Sequence, residues 1–305
     1  MTRLKTKLSA LLPFIGLLCA QAQRDTKTIN DGWFFRKAST ENWQPVNVPH
    51  TYNLDAYSQR NYYMGKAFYQ KSFVLPEVPQ GKRCFLKIDA ASKAADLMLN
   101  GQKIGSHAGG YSAFTFDITP YLQKNNTIDN SRKDITPISA DFTFWGGIYR
   151  DVWLITTSEQ HFNLLNHGSD GIFISTPHVD EKEATIEIRS EITNDATEKA
   201  TLEVIHQIYD PQGKLQQTLK QRLSVKAGET QTVRKTSAIG QPQLWSPESP
   251  RLYEIVTTLR NPKTGMELDR STHKTGFRWF SFDGEKGFSL NGKPYKLRGV
   301  NRHQD

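Results

Sequence analysis

Cysteine is almost missing from this chain, with two in 305 residues, Cys19 and Cys84. Cys19 lies in an N-terminal segment that reads as removable, which leaves Cys84 without an intrachain partner. Disulfides therefore do not hold this fold together. Cys84 precedes Phe85-Leu86-Lys87-Ile88 and reads as a small buried hydrophobe. No Cys/His pair has the spacing of zinc ligands, so no metal or cofactor is expected in this chain. Long apolar runs are missing too. Leu8 to Leu18 is well short of the roughly 20 residues that cross a bilayer, which argues against a membrane span. A basic block is also lacking. Three of the +8 formal charges belong to Arg3, Lys5 and Lys7, and the remaining cations are scattered among acids. That pattern describes a solvated surface and argues against a nucleic-acid partner. Convincing helical periodicity, internal repeats and low-complexity tracts are absent as well.

What is present begins with an export signal. A basic start (Arg3, Lys5, Lys7), the Leu8–Leu18 run and Ala20-Gln21-Ala22 follow the order of a secretory signal peptide. Residues 1–22 are expected to be removed near Gln23, and the product to be periplasmic or extracellular. A lipoprotein signal at Cys19 is disfavoured by the bulky Leu18 before it.

The remainder is dominated by short alternating runs. Strands are expected at Ala67–Leu75, Cys84–Asp89, Asp96–Leu99 and Asp151–Ile155, with an Asn100-Gly101 hairpin turn after the third. A second set covers Ala184–Arg189, Leu202–Ile208, Leu215–Val225 and Leu252–Leu259, as in an immunoglobulin-like sandwich. A second Asn-Gly hairpin is expected at Asn291-Gly292, flanked by Phe288–Leu290 and Lys293–Leu297. The chain is thus read as all-β, with domains at 23–160, 161–276 and an unfinished piece at 277–305.

Five segments then occur in a recognisable order. They are Val48-Pro49-His50-Thr51-Tyr52 with Tyr63–Tyr69, Leu99-Asn100-Gly101 through Gly109-Gly110-Tyr111 to Thr119, and Gly146-Gly147-Ile148-Tyr149-Arg150-Asp151-Val152. Leu244-Trp245-Ser246-Pro247 to Tyr253, and Leu290–Pro294 with Arg298-Gly299-Val300-Asn301-Arg302-His303, complete the set. Together they resemble glycoside hydrolases of family 2, of the β-galactosidase type, across nearly the whole chain after the signal.

The resemblance implies a jelly-roll sugar-binding domain, an immunoglobulin-like domain and the first strand of a (β/α)8 barrel. It implies a retaining exo-β-glycosidase acting on β-galactosides, whose two catalytic glutamates lie on later barrel strands. No catalytic residue is therefore assigned in this chain, and Glu248 and Glu285 are read as surface residues of turns. Asp141, six positions before Gly147, matches an aspartate that reaches from the jelly roll to sugar hydroxyls; its alternative is a turn residue capping Phe142-Thr143. His303 matches a histidine of the catalytic face that donates to a sugar hydroxyl, its alternative being a packing histidine behind the pocket, with Asn301 and Arg302 supporting its loop. Arg302 is what tilts the reading toward galactosidase over glucuronidase. A divalent or sodium ion in the whole enzyme is left open by the resemblance, its ligands expected mostly outside this chain.

The alternative to an enzyme fragment is a stand-alone carbohydrate-binding or scaffold protein. Self-association into a homo-oligomer is compatible with either. His107 and Tyr111 are read as turn residues. Trp145, Trp153 and Trp245 are read as buried anchors, and Trp33 and Trp43, among polar residues, as open candidates for stacking on sugar. One departure from the family stands out. Thr127-Ile128 runs straight into Asp129-Asn130-Ser131, so a strand is expected to be shortened or lost there, exposing a sheet edge.

Overall fold

The computed structural model describes residues 24–54, 63, 65–75, 81–123, 125–130 (backbone alone) and 145–301. The segment expected to direct export, Asp141, Arg302 and His303 lie outside them.

The first ten strands are β1 (Asp25–Thr28), β2 (Trp33–Lys37), β3 (Gln44–Val46), β4 (Ala67–Val74), β5 (Lys82–Ile88), β6 (Ala94–Leu99), β7 (Gln102–Ala108), β8 (Phe114–Asp117), β9 (Asn125–Asn130) and β10 (Val152–Ser158). They form two antiparallel sheets, ordered β1-β10-β5-β8 and β3-β2-β4-β9-β6-β7. Side chains alternate across each strand, so each sheet can turn one face to a shared core. That core holds Trp33, Leu86, Leu97, Leu99, Ile118, Ile148 and Val152, all 0% exposed. Asn100 (φ 52°) and Gly101 (φ 77°) close the β6–β7 hairpin with the two positive φ values of a type I′ turn.

Two expectations are corrected here. The strand expected to be lost is present: β9 pairs with β4 from Tyr69↔Asn130 to Val74↔Asn125, and with β6 from Leu97↔Asn130 to Leu99↔Ile128. It lies inside the six-stranded sheet and leaves no edge. Asn125, Asn126, Asp129 and Asn130 carry little strand propensity of their own, and pairing on both sides overrides it. Trp33, an open candidate for sugar stacking, is instead a core residue on β2, its Nε1 donating to the Ile29 carbonyl at 2.7 Å. The run Trp33-Phe34-Phe35 hides its alternation because Phe34, 46% exposed, is also aromatic.

Eight further strands follow: β11 (Gln160–Phe162), β12 (Ile172–Val179), β13 (Glu183–Asn194), β14 (Ala200–Tyr209), β15 (Leu215–Val225), β16 (Glu229–Gly240), β17 (Tyr253–Arg260) and β18 (Glu267–Thr275). β13 pairs with β11 and β12 and, along its full length, with β16; the opposing sheet is β15-β14-β17-β18. Ile186, Ile188, Ile192, Val204, Ile208, Ile255 and Leu259 fill the space between the two sheets.

The sandwiches are joined through both apolar and ionic contacts. Phe85, Ile155 and Leu164 form a small buried cluster, which explains why β5 is apolar on both faces. Arg24 donates from Nε and Nη2 to the two oxygens of fully buried Asp269, at 2.9 and 2.8 Å. The Phe162 amide donates to the same carboxylate at 2.8 Å. Arg83 bridges Asp117 and Asp195, and Asp195 also pairs with His161 at 3.0 Å.

A three-stranded sheet ends the described chain: β19 (Phe280–Asp283), β20 (Gly287–Leu290) and β21 (Lys293–Pro294). Its second turn is the expected Asn291-Gly292 (φ 50° and 74°). The strand expected to run on to Leu297 stops at Pro294, since β21 has only β20 to pair with, and residues 295–301 form no strand. No barrel strand is therefore seen among the described residues.

Candidate functional site

Three of the sequence motifs meet at one end of the first sandwich. The His50 amide donates to the Ile148 carbonyl at 2.7 Å, Tyr52 to Gly146 at 3.1 Å and Ser92 to Gly147 at 3.0 Å. Asn53, 1% exposed, accepts from the Gly146 amide at 2.9 Å and from the Thr51 hydroxyl at 2.8 Å. The glycines of the Gly146-Gly147 pair are required by contact. A Cβ on Gly146 would strike the Tyr52 ring, and one on Gly147 (φ 122°) would strike the His50 carbonyl and the Tyr69 hydroxyl. Next to this pair, Asn30 accepts from the Val152 amide at 3.0 Å and donates to Asp151 at 2.9 Å, which fixes the Arg150-Asp151-Val152 end. The 105–111 motif is brought in by Gly109, whose amide donates to the Lys93 carbonyl at 2.8 Å, and by Tyr149, whose hydroxyl donates to Gly110.

The polar groups here are neutral. His50 Nδ1 and the Tyr69 hydroxyl share a hydrogen bond of 2.7 Å. Burial lowers the His50 pKa and raises that of Tyr69. Burial, with Tyr63 nearby, pushes Tyr52 up to about 12. Phe35, His50, Tyr52 and Tyr69 form one aromatic group, with Phe35 stacked on Tyr52 at 5.8 Å and 11°.

Beside this rim a cleft of about 420 Å³ opens, lined by Phe35, Arg36, Lys37, Thr40, Asn42, Gln44, His50, Thr51, Tyr52 and Leu54. That volume lies within the range of small-molecule sites.

Of the expected site residues, Asp141 and His303 fall outside the described residues. Asn301 is exposed at the end of the described chain, and no contact joins it to the rim. His107 lies flat on Phe114 (4.2 Å, 17°) and its Nε2 is 3.0 Å from the Gly109 carbonyl; Tyr111 is 76% exposed. Trp153 is half-buried and donates to Asp89 at 2.7 Å. The other two motifs meet elsewhere. Asn291 donates to the Trp245 carbonyl at 3.0 Å, and Tyr295 to exposed Glu248 at 2.9 Å. Glu285 is also exposed in its turn.

A carboxylic acid poised as a proton donor needs a raised pKa, and the buried Glu191 and Glu203 are instead held low. Burial works to raise Glu191, but Asn166, Asn163 and Arg189 outweigh it and hold it low. Arg260 and Arg222 hold Glu203 low. Among the described residues, no group of three His, Cys, Asp or Glu could hold a metal ion, and no helix is long and apolar enough to cross a membrane.

Two family models match this architecture: "Glycosyl hydrolases family 2, sugar binding domain" over residues 17–158, and "Glycosyl hydrolases family 2" over 170–278. The chain belongs to glycosyl hydrolases family 2. The crystal structure of a Bacteroides uniformis β-glucuronidase is 52% identical and superposes with a TM-score of 0.87, over 93% of this chain and 36% of that one. A Bacteroides fragilis β-glucuronidase is 35% identical over 99% of this chain and 44% of its own length. The Bacteroides ovatus β-galactosidase BoGH2A is 29% identical over 86% of this chain and 31% of its own. The family 2 chain thus spans less than half the length of these relatives.

Sequence reasoning missed the cleft residues Arg36, Lys37, Asn42 and Gln44. They sit on two short strands and the loop between them, and no residue pattern along the chain links them to His50–Leu54.

Proposed function

We propose that this chain is the non-catalytic, carbohydrate-contacting portion of a retaining exo-β-glycosidase that removes β-glucuronic acid from glycans. The observation that carries this is the 52% identity to the Bacteroides uniformis β-glucuronidase across nearly the whole chain. In a retaining enzyme one carboxylic acid protonates the leaving oxygen, and a carboxylate about 5–5.5 Å away attacks the anomeric carbon. The described carboxylates buried here are already committed to arginines and amides, so the catalytic pair belongs to the part of the enzyme outside this chain. Asp141 and His303 retain their proposed contacts to sugar hydroxyls. Export by the segment 1–22 places the enzyme where extracellular glycans are met.

A β-galactoside substrate, expected from Arg302, is the second reading, supported by BoGH2A at 29% identity. The test is hydrolysis of chromogenic β-glucuronides and β-galactosides by residues 23–305 and by a longer product of the gene. The expected result is turnover by the longer product alone, with the glucuronide preferred. Turnover by residues 23–305 would overturn the division of labour, and preference for the galactoside would replace the substrate.

A further inference from the structure

Two clefts of similar size lie on the two sandwiches, and their charges differ. The one on the second sandwich, about 390 Å³, is lined by Lys220, Arg260 and Arg270 but also by Glu267, and its arginines are taken. Arg260 donates to Glu203 at 2.7 Å, and Arg270 to Glu267 at 2.7 Å. The cleft beside β2 and β3 holds Arg36 and Lys37 with no acid among its described lining residues; Glu41, in the adjoining loop, does not line it. Neither cation makes an ion pair among the described residues, and no hydrogen bond there engages the Asn42 or Gln44 amides.

We propose that this cleft binds a carboxylated sugar, a uronic acid unit of the glycan, with Arg36 and Lys37 facing its carboxylate. The proposal rests on the glycosidase reading and adds a location and a charge to it. Arg36 is pre-oriented: its guanidinium lies over Phe68 at 4.1 Å and Trp43 at 5.1 Å, and Nη1 donates to the Thr40 carbonyl at 3.1 Å. Such stacking holds the planar fork in place while its other N–H donors stay available for a carboxylate. Lys37 lies over the Tyr63 ring at 5.1 Å and adds a mobile point charge. Thr40, Asn42, Gln44 and Thr51 offer both donors and acceptors, which suits a ring of hydroxyls. Phe35 and Tyr52 give the cleft an apolar wall for a sugar face.

The test is titration of the ¹⁵N-labelled chain, followed by NMR, with methyl β-glucuronide, methyl β-glucoside and inorganic sulfate. Losing one charge-assisted contact is expected to cost about tenfold in affinity. The glucuronide should therefore bind about tenfold more tightly than the glucoside. Arg36→Gln and Lys37→Met should each weaken the glucuronide about tenfold, with the glucoside and the melting temperature unchanged. Equal binding of the two glycosides, no binding of the glucuronide at roughly 50 mM (weaker than any specific site of useful affinity), or both variants binding like wild type would overturn the proposal. So would sulfate binding as tightly as the glucuronide, which would make the cleft a general anion site. Glucuronide hydrolysis by the longer product, with unchanged KM in both variants, would remove the cleft and leave the glycosidase reading intact. Absence of hydrolysis by that product would remove the reading itself.

Discussion

The first sandwich is built from strands of three to eight residues, whereas five strands of the second run to nine residues or more. Long strands complete their own pairing, and in the second sandwich the buried charges are matched as well. Glu203, 5% exposed, has two arginines, and Glu191, 8% exposed, has Arg189, Asn163 and Asn166. Short strands leave more chain in loops, and in the first sandwich those loops converge on one rim with cations and amides unmatched. A region whose buried charges are matched is built for stability, and a region with cations and amides left over among its described residues is available for a ligand.

The largest expected effect tests whether the two regions are separable. Asp269→Ala should cost about 4 kcal/mol, because it strands the mostly buried Arg24 and the buried Phe162 amide. Urea denaturation followed by tryptophan fluorescence measures it; a loss under about 1 kcal/mol would mean that the ionic joint contributes little. Next comes the rim. Gly147→Ala combines φ 122° with backbone collision and should cost about 3 kcal/mol. Its chemical shift changes should concentrate at His50, Tyr52 and Tyr69, leaving the second sandwich unperturbed.

The third probe concerns the second sandwich alone. His206 is 1% exposed, bonded to the Thr257 hydroxyl at 3.0 Å, and burial with Lys235 nearby lowers it from 6.5 to about 4. The unfolded chain therefore takes up the proton first, and stability should fall as pH drops from about 6.5 toward about 4. Between pH 8 and pH 5 the loss should be about 2 kcal/mol, and His206→Gln should flatten that part of the curve. Identical pH profiles for the two proteins would exclude His206 as the cause. The smallest effect is Gly213→Ala in the turn after β14. Its φ of 80° is strained, but a Cβ there meets open space, so about 1 kcal/mol or less is expected in thermal melts.

Much of this architecture could be read from period-two patterns. β4, β5, β13, β14, β15 and β17 all fall on runs where the sequence places strands, and both Asn-Gly turns are in place. The strands that escaped did so for physical reasons. β9 is polar and is held by partners 51–61 and 29–33 residues upstream in the chain. β2 shows three aromatics in a row, so inward and outward positions look alike. The rim was legible as motifs but not as a place, since joining His50 to Ile148 needs the folded sheet. Of the cleft only His50-Thr51-Tyr52 belongs to a motif; Arg36, Lys37, Asn42 and Gln44 are ordinary polar types brought together by a loop. The galactoside expectation came with the resemblance of the five motifs, which β-galactosidases and β-glucuronidases of the family share, and only Arg302 tilted it between the two, whereas the relatives compare the whole chain.

Arg24 and Asp269 are 245 positions apart, yet they share two hydrogen bonds. Seen in the time of synthesis, the arginine leaves the ribosome long before its partner exists. At a few to about 20 residues per second, the wait is on the order of ten seconds or more. The first sandwich must pass that interval with its leading strand unclamped at one end, and the Arg24–Asp269 clamp closes only once β18 has emerged.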